Sequence, residues 1–299
     1  MRGIRCAVGG LLSVLALASF ARVARAQAAD WSAVDRALGR SGSAQPGNVQ
    51  KYSFPRSDLS VSLGGTRLKP GLALGSWLAF KRTSDGKTLA MGDLVLSEDE
   101  VPAVMSRLQQ GGVDQTAVHN HLIGESPRVV YMHVMARGDA ATIASALHAG
   151  LAQSKTPLAA PAPASPAPLD LDTTAFSSAL GVKGKGNGGV WQIAVPRPET
   201  IREGADEIPP SMGLATSINV QPIGNGRAVA TGDFVLLPSE VNPVIRALKA
   251  NGIAVTALHS HLLMDQPHVL FMHFWGSDDA AKLARGLRAA LDATAMAPR

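Results

Sequence analysis

The chain has 299 residues, of which 46% are apolar and 4% aromatic, with a formal net charge of +5 and one cysteine. That length fits two domains of ordinary size, with packed cores built mainly from Leu, Val, Ile and Ala. The basic excess sits at the N-terminus: without Arg2, Arg5, Arg22 and Arg25 the balance falls to +1 and no Lys/Arg cluster remains, which excludes nucleic acid as a partner.

Residues 1–26 read as a signal peptide. Arg2 and Arg5 form a positive start, and 7–20 is an apolar stretch too short to span a membrane. Ala24-Arg25-Ala26 then offers a small-x-small cleavage site before Gln27. The expectation is an exported protein, periplasmic or secreted, with no transmembrane segment after cleavage near Ala26. Cys6 leaves with the leader, so thiolate metal sites, disulfides and thiol nucleophiles are excluded from the mature chain.

A first module is expected over 27–154. A short helix over Trp31 to Leu38 closes at Gly39. Extended segments follow at 48–54, 59–63, 73–81 and 88–96. Ser97-Glu98-Asp99-Glu100 reads as a capping box that starts a helix at Glu98 and carries it to Gln110. VDQTAVHNHL and RVVYMHVMA read as two strands around an IGESP turn, and Gly138-Asp139 opens a last helix to Leu151. Residues 155–169 form an Ala/Pro-rich linker, because KTPLAAPAPASPAP can build neither helix nor sheet ladder. A second module over 170–299 repeats the first at a constant offset of 140 from Gly92 and Gly232 onward, without a gap. Its helix at 238 begins with Pro238, which a first turn accepts.

The predicted fold class is α+β. It consists of two tandem homologous modules, each an antiparallel sheet with helices packed on it around a strand-helix-strand-strand core. The linker between them predicts two folded lobes.

Six of the eight histidines form two equivalent triplets, His119, His121, His133 and His259, His261, His273. Residues i and i+2 of a strand share a face, so each His-x-His pair does too. The third histidine lies on the next strand of a presumed hairpin. A turn centred on Ser126 or Gln266 sets it opposite the first, and any register with an even sum keeps all three on one face. Three imidazoles on one face suit a divalent metal, Zn²⁺ best, with Mn²⁺, Fe²⁺ or Ni²⁺ as further candidates. Glu125 and Asp265, at matching turn positions, are candidate carboxylate ligands. Asp93 and Asp233, each after a glycine, are candidates to orient an imidazole from behind. Arg56 and Arg197, each after a proline, are candidate contacts for an anionic ligand. Phe271, Phe274 and Trp275 are candidates to wall the second site from water, and Met132 and Met272 read as core.

FPRSDLSV, LALGSWLAFK, MGDLVLSEDEV, ALHSHL and FMHFWGSDDAAKLARGLRAAL resemble the mycobacterial LppY/LpqO lipoprotein-like family. The resemblance runs from Asp30 to Leu291. It implies an exported bacterial protein with a duplicated domain of unknown function and no established reaction. The chain departs from that family in having no lipobox cysteine. The leading functional expectation is metal binding by the triplets, serving hydrolysis. The alternatives are a metal-free enzyme using paired histidines as general acid and base, and a non-catalytic module that binds a small molecule or envelope component between two similar lobes.

Overall fold

The computed structural model describes residues 29–160 and 168–296. The signal reading of 1–26, Cys6 and the middle of the Ala/Pro segment lie outside the described residues. The first module runs α1 (Ser32–Leu38), β1 (Ser43–Gln45), β2 (Val49–Pro55), β3 (Ser62–Leu63), β4 (Thr66–Arg67), α2 (Pro70–Ala73), β5 (Gly75–Arg82), β6 (Thr88–Ser97), α3 (Val101–Gln110), β7 (Asp114–His119), β8 (Val129–Gly138) and α4 (Ala140–Leu151). The second runs α5 (Thr173–Leu180), β9 (Lys185–Asn187), β10 (Val190–Pro196), β11 (Ile201–Glu203), β12 (Asp206–Ile208), a 3-10 turn (Pro210–Met212), β13 (Ala215–Gly224), β14 (Arg227–Leu236), α6 (Val241–Ala250), β15 (Ala254–His259), β16 (Asp265–Gln266), β17 (Leu270–Asp279) and α7 (Ala280–Leu291).

Each module builds one six-stranded antiparallel sheet, in the orders β1-β2-β5-β6-β8-β7 and β9-β10-β13-β14-β17-β15. In both, the hairpin strand that carries the third histidine inserts between the strand before the helix and the strand after it. This is the expected α+β duplication.

Helix ends follow the sequence with one exception. Gly39 closes α1 in the left-handed conformation, φ 67°. Asp139 and Asp279 cap α4 and α7 by accepting the backbone N–H of Thr142 and Lys282. The capping box at 97–100 does not start a helix at Glu98. α3 begins at Val101, and α6 begins at Val241 rather than at Pro238. Glu100 does reach back to the Ser97 N–H, 2.9 Å, but the same carboxylate also takes Arg56 and the Lys155 N–H, so 98–100 is drawn into a turn.

The molecule has four layers: helices, sheet, sheet, helices. Alternation along each strand gives every sheet two apolar faces. One face packs on its own helices: Phe54, Leu78, Leu94 and Met132 meet Val104, Leu108, Ala144 and Leu147 in the first module. Ile218, Phe234, Met272 and Phe274 meet Val244, Leu248 and Leu287 in the second. The other two faces pack on each other. Val49, Ala79 and Met91 meet Val235, Val269 and Phe271, while Val95, Val129 and Tyr131 meet Val190 and Val229. The two lobes therefore pack face to face, each covering part of the other's sheet.

Polar contacts fix that packing. Gln221 accepts from the Lys69 N–H at 2.9 Å and donates to the Arg67 carbonyl at 2.9 Å. Asn219 donates to the Leu72 carbonyl at 3.0 Å, and Gln192 donates to that of Gly71 at 2.8 Å. Arg137 pairs with Asp206 at 2.7 Å. A glycine sets the spacing next to the site: a Cβ at Gly232 would lie 1.9 Å from the Ser217 carbonyl oxygen, so no other residue permits β13 and β14 to approach this closely.

Candidate metal centre

The strand register puts the histidines on the inner, sheet-to-sheet face. Ala117 pairs with His133 and His119 with Tyr131; Ala257 pairs with His273 and His259 with Phe271. His119 is thus offset from His133 by two residues rather than directly opposite, and a bulge between Gln115 and Ala117 shifts the register again farther along the ladder. The offset is even, so both rings stay on one face. β7 and β15 end at His119 and His259, and His121 and His261 follow just beyond.

The face-to-face packing then merges the two triplets. His119 and His259 meet at the middle with ring centroids 3.6 Å apart. His121 stacks on His273 at 3.8 Å and His133 on His261 at 3.5 Å. Residues at the 140 offset exchange places in these pairs, so the arrangement is pseudo-twofold. The nitrogens of His119, His121 and His133 lie within 4.8 Å of one another, as do those of His119, His259, His261 and His273. Tyr131 and Phe271, equivalent residues, form the outer walls, stacking on His121 at 3.3 Å and on His261 at 3.6 Å.

Most of the donor atoms are unspent. Nε2 of His119, His121, His133 and His273, Nδ1 of His259, and Oδ1 of Asp93 and Asp233 are buried with no hydrogen-bond partner among the described residues. Nδ1 of His273 donates to the Gly232 carbonyl at 3.0 Å, which fixes its tautomer and leaves the lone pair on Nε2. His259 and His261 share one N–H···N bond, with Nε2 atoms 2.8 Å apart. Asp93 lies 3.8 Å from His133 Nε2 and 4.0 Å from His121 Nε2; Asp233 lies 3.8 Å from His273 Nδ1.

Burial sets the protonation. It lowers His119 to about 4 and His259 to about 3, and it drives His121, His133, His261 and His273 well below the ordinary imidazole value. Burial pushes Asp93 up to about 8 against the opposing charge of Lys51, and it raises Asp233 well above the carboxylate range, with Asp93 adding to the shift. Six neutral imidazoles grouped in this way could hold a metal ion.

Other predicted residues lie elsewhere. Glu125 and Asp265 belong to neither nitrogen cluster. They cap their turns, accepting the N–H of Val129 at 3.5 Å and of Val269 at 2.6 Å. Arg56 and Arg197 are held in buried ion pairs. Arg56 is fully buried and bonds Glu100, Asp58 and the Val95 carbonyl; Arg197 bonds Glu240, Glu199 and the Val235 carbonyl. Phe274 lies on the helix side of β17, in the second module's core, because it alternates with His273.

Sequence reasoning missed Lys51. Its ammonium sits 4.1 Å over the Trp77 ring, and burial lowers it to about 8. The second copy has Gln192 at that position, so the two halves of the centre differ in charge. The available signal was a lysine inside a strand, at a position matched by glutamine in the second copy. It also missed the stacking of Tyr131 and Phe271, which their position two residues before the third histidine, on the same strand face, could have shown.

An open depression of about 370 Å³ reaches the cluster at His119 and His259, bordered by Ile123, Arg128, Thr256 and Leu258. Ile123 and Leu258 are 66% and 45% exposed, so its rim is apolar. Among the described residues, no helix is long and apolar enough to cross a membrane.

Fold and site together define a duplicated α+β protein whose two sheets enclose a shared histidine centre. The chain belongs to the family described as Domain of Unknown Function (DUF1259), which matches residues 32–153 and again 174–293. No curated protein matches it. Solved structures similar to it include a trimeric bacterial microcompartment shell protein, PduB, at 12% identity over 84% of this chain and 89% of that one, with a TM-score of 0.21. EtuB from Clostridium kluyveri is 10% identical over 84% of this chain and 88% of that one, also at 0.21.

Proposed function

We propose that this chain is an exported protein that binds divalent metal, Zn²⁺ by preference, at the histidine centre between its modules, and that the bound metal serves hydrolysis. The observation that carries the reading is the set of buried, unpartnered imidazole nitrogens converging from both modules. Buried polar atoms are satisfied as a rule, so a cluster of orphans marks a missing ligand. Neutral imidazoles bind borderline cations, and such a cation activates water near neutral pH. The depression at His119 and His259 supplies access. Arg2, Arg5, the apolar stretch that follows and the resemblance to the LppY/LpqO family support export. Metal-free acid–base catalysis by paired histidines is less favoured, because burial holds all six rings neutral at pH 7 and leaves none charged to act as the acid.

The test is thermal unfolding of chelator-stripped, tag-free protein with and without Zn²⁺. Free zinc at about 100 times Kd stabilises by about 2.7 kcal/mol, a shift of several degrees. The wild type should show the shift and a His121→Ala, His273→Ala double variant, which breaks both histidine groups, should not. No shift in the wild type at micromolar zinc would reject the reading.

A further inference from the structure

We infer that the centre holds two divalent ions, one on each histidine triplet, close enough to interact across the pseudo-twofold. This rests on the metal reading of the same site and adds its nuclearity.

The argument begins with a count of donors. Six imidazoles converge on one enclosed cluster, with the Asp93 carboxylate beside His121 and His133, while Asp233 lies behind His273 on its Nδ1 side. Zinc bound by nitrogen and oxygen takes four ligands. One ion would leave several of these buried imidazoles unpartnered, against the rule that buried polar groups are satisfied. Two ions use all six.

Geometry divides the donors in the same way. His119, His121 and His133 form a complete group by themselves, with Asp93 within 4.0 Å of two of their Nε2 atoms as a fourth ligand. His259, His261 and His273 form the other, joined by His119. Because His119 belongs to both groups, the two ion positions are neighbours. The stacked pairs His121 with His273 and His133 with His261 flank the central His119 and His259, and neither pair separates the groups.

The duplication accounts for the arrangement: each copy brings one triplet, and sheet packing brings the triplets together.

The experiment uses Cu²⁺ as the probe on the tag-free, chelator-stripped full chain. Bound copper is measured after desalting and its electron paramagnetic resonance is recorded at saturation. Two copper ions per chain are expected, with spin intensity well below two isolated centres or with a half-field transition, either of which requires neighbouring ions. His133→Gln should hold one copper with an ordinary isolated spectrum, but the wild-type spectrum decides the matter even if that variant misfolds. Saturation at one ion overturns the two-ion centre and leaves the metal reading standing. Two ions with magnetically isolated spectra overturn it as well. Uptake of no copper overturns both.

Discussion

His121 and His273 stand on different modules, yet their rings stack with centroids 3.8 Å apart. Neither module alone makes the pocket between them. Each therefore contributes to one centre, and loss of either should be felt in metal affinity. We expect His121→Ala and His273→Ala each to weaken zinc binding by more than the roughly 10–100-fold typical of losing an outer-shell partner. Competition with a chromophoric chelator measures this. Unchanged affinity in either variant would remove that histidine from the centre.

The stripped protein should lose stability in acid. The six histidines are depressed by burial from 6.5, to about 4 for His119 and about 3 for His259. As pH falls below 6.5 the unfolded chain takes up protons on them and the folded chain does not, so their contribution declines through that window. Asp93 and Asp233, whose pKa values are raised, act in the opposite sense, but they are two against six. The urea midpoint of zinc-free protein should be lower at pH 5 than at pH 7. An equal or higher midpoint at pH 5 would contradict the burial of neutral rings.

Arg56 and Arg197 are expected to matter for the fold and not for the ligand. Arg56→Met leaves Glu100 charged and buried without its partner, which costs about 3–5 kcal/mol. Denaturant titration reads the loss, and bound zinc per folded chain should not change. A stable variant with altered metal or anion binding would restore these arginines to the site.

Glu125 and Asp265 are turn caps in this structure. Replacing both with the corresponding amides should leave zinc stoichiometry as in the wild type. Loss of metal in the folded variant would make them ligands after all.

How far the sequence carries is shown by these same residues. The duplication, the antiparallel modules and the shared face of His119 with His133 and of His259 with His273 follow from the 140-residue offset and strand parity, whereas His121 and His261 lie just past their strands. The pairing of His119 with Tyr131 depends on how the loop over 120–128 is shared between its strands, which no local pattern announces. The merging of the triplets was out of reach for a different reason: it depends on how Val49, Ala79, Val235 and Phe271 mesh between sheets, and apolar side chains specify burial without naming their partner. Arg56 read as a ligand contact because an isolated arginine gives no sign of burial. The sign lay in its carboxylates, Asp58 and Glu100, which recur as Glu199 and Glu240 around Arg197.

The shared inner core also predicts how the halves behave when parted. A protease site placed in the Ala/Pro segment and cut should leave both fragments eluting together from gel filtration, because Val235, Phe271 and Ile208 are buried by the other module as well as their own. Two separately eluting, folded fragments would show that the modules stand alone.

The most direct measurement of the central claim is zinc-edge X-ray absorption on tag-free protein loaded and then desalted. Neutral imidazoles from both modules predict retained zinc with nitrogen scatterers at about 2.0–2.1 Å and the outer-shell pattern of several histidine rings, lost in the His121→Ala, His273→Ala double variant. Zinc that washes out on desalting, or an oxygen shell without imidazole scattering, would contradict it.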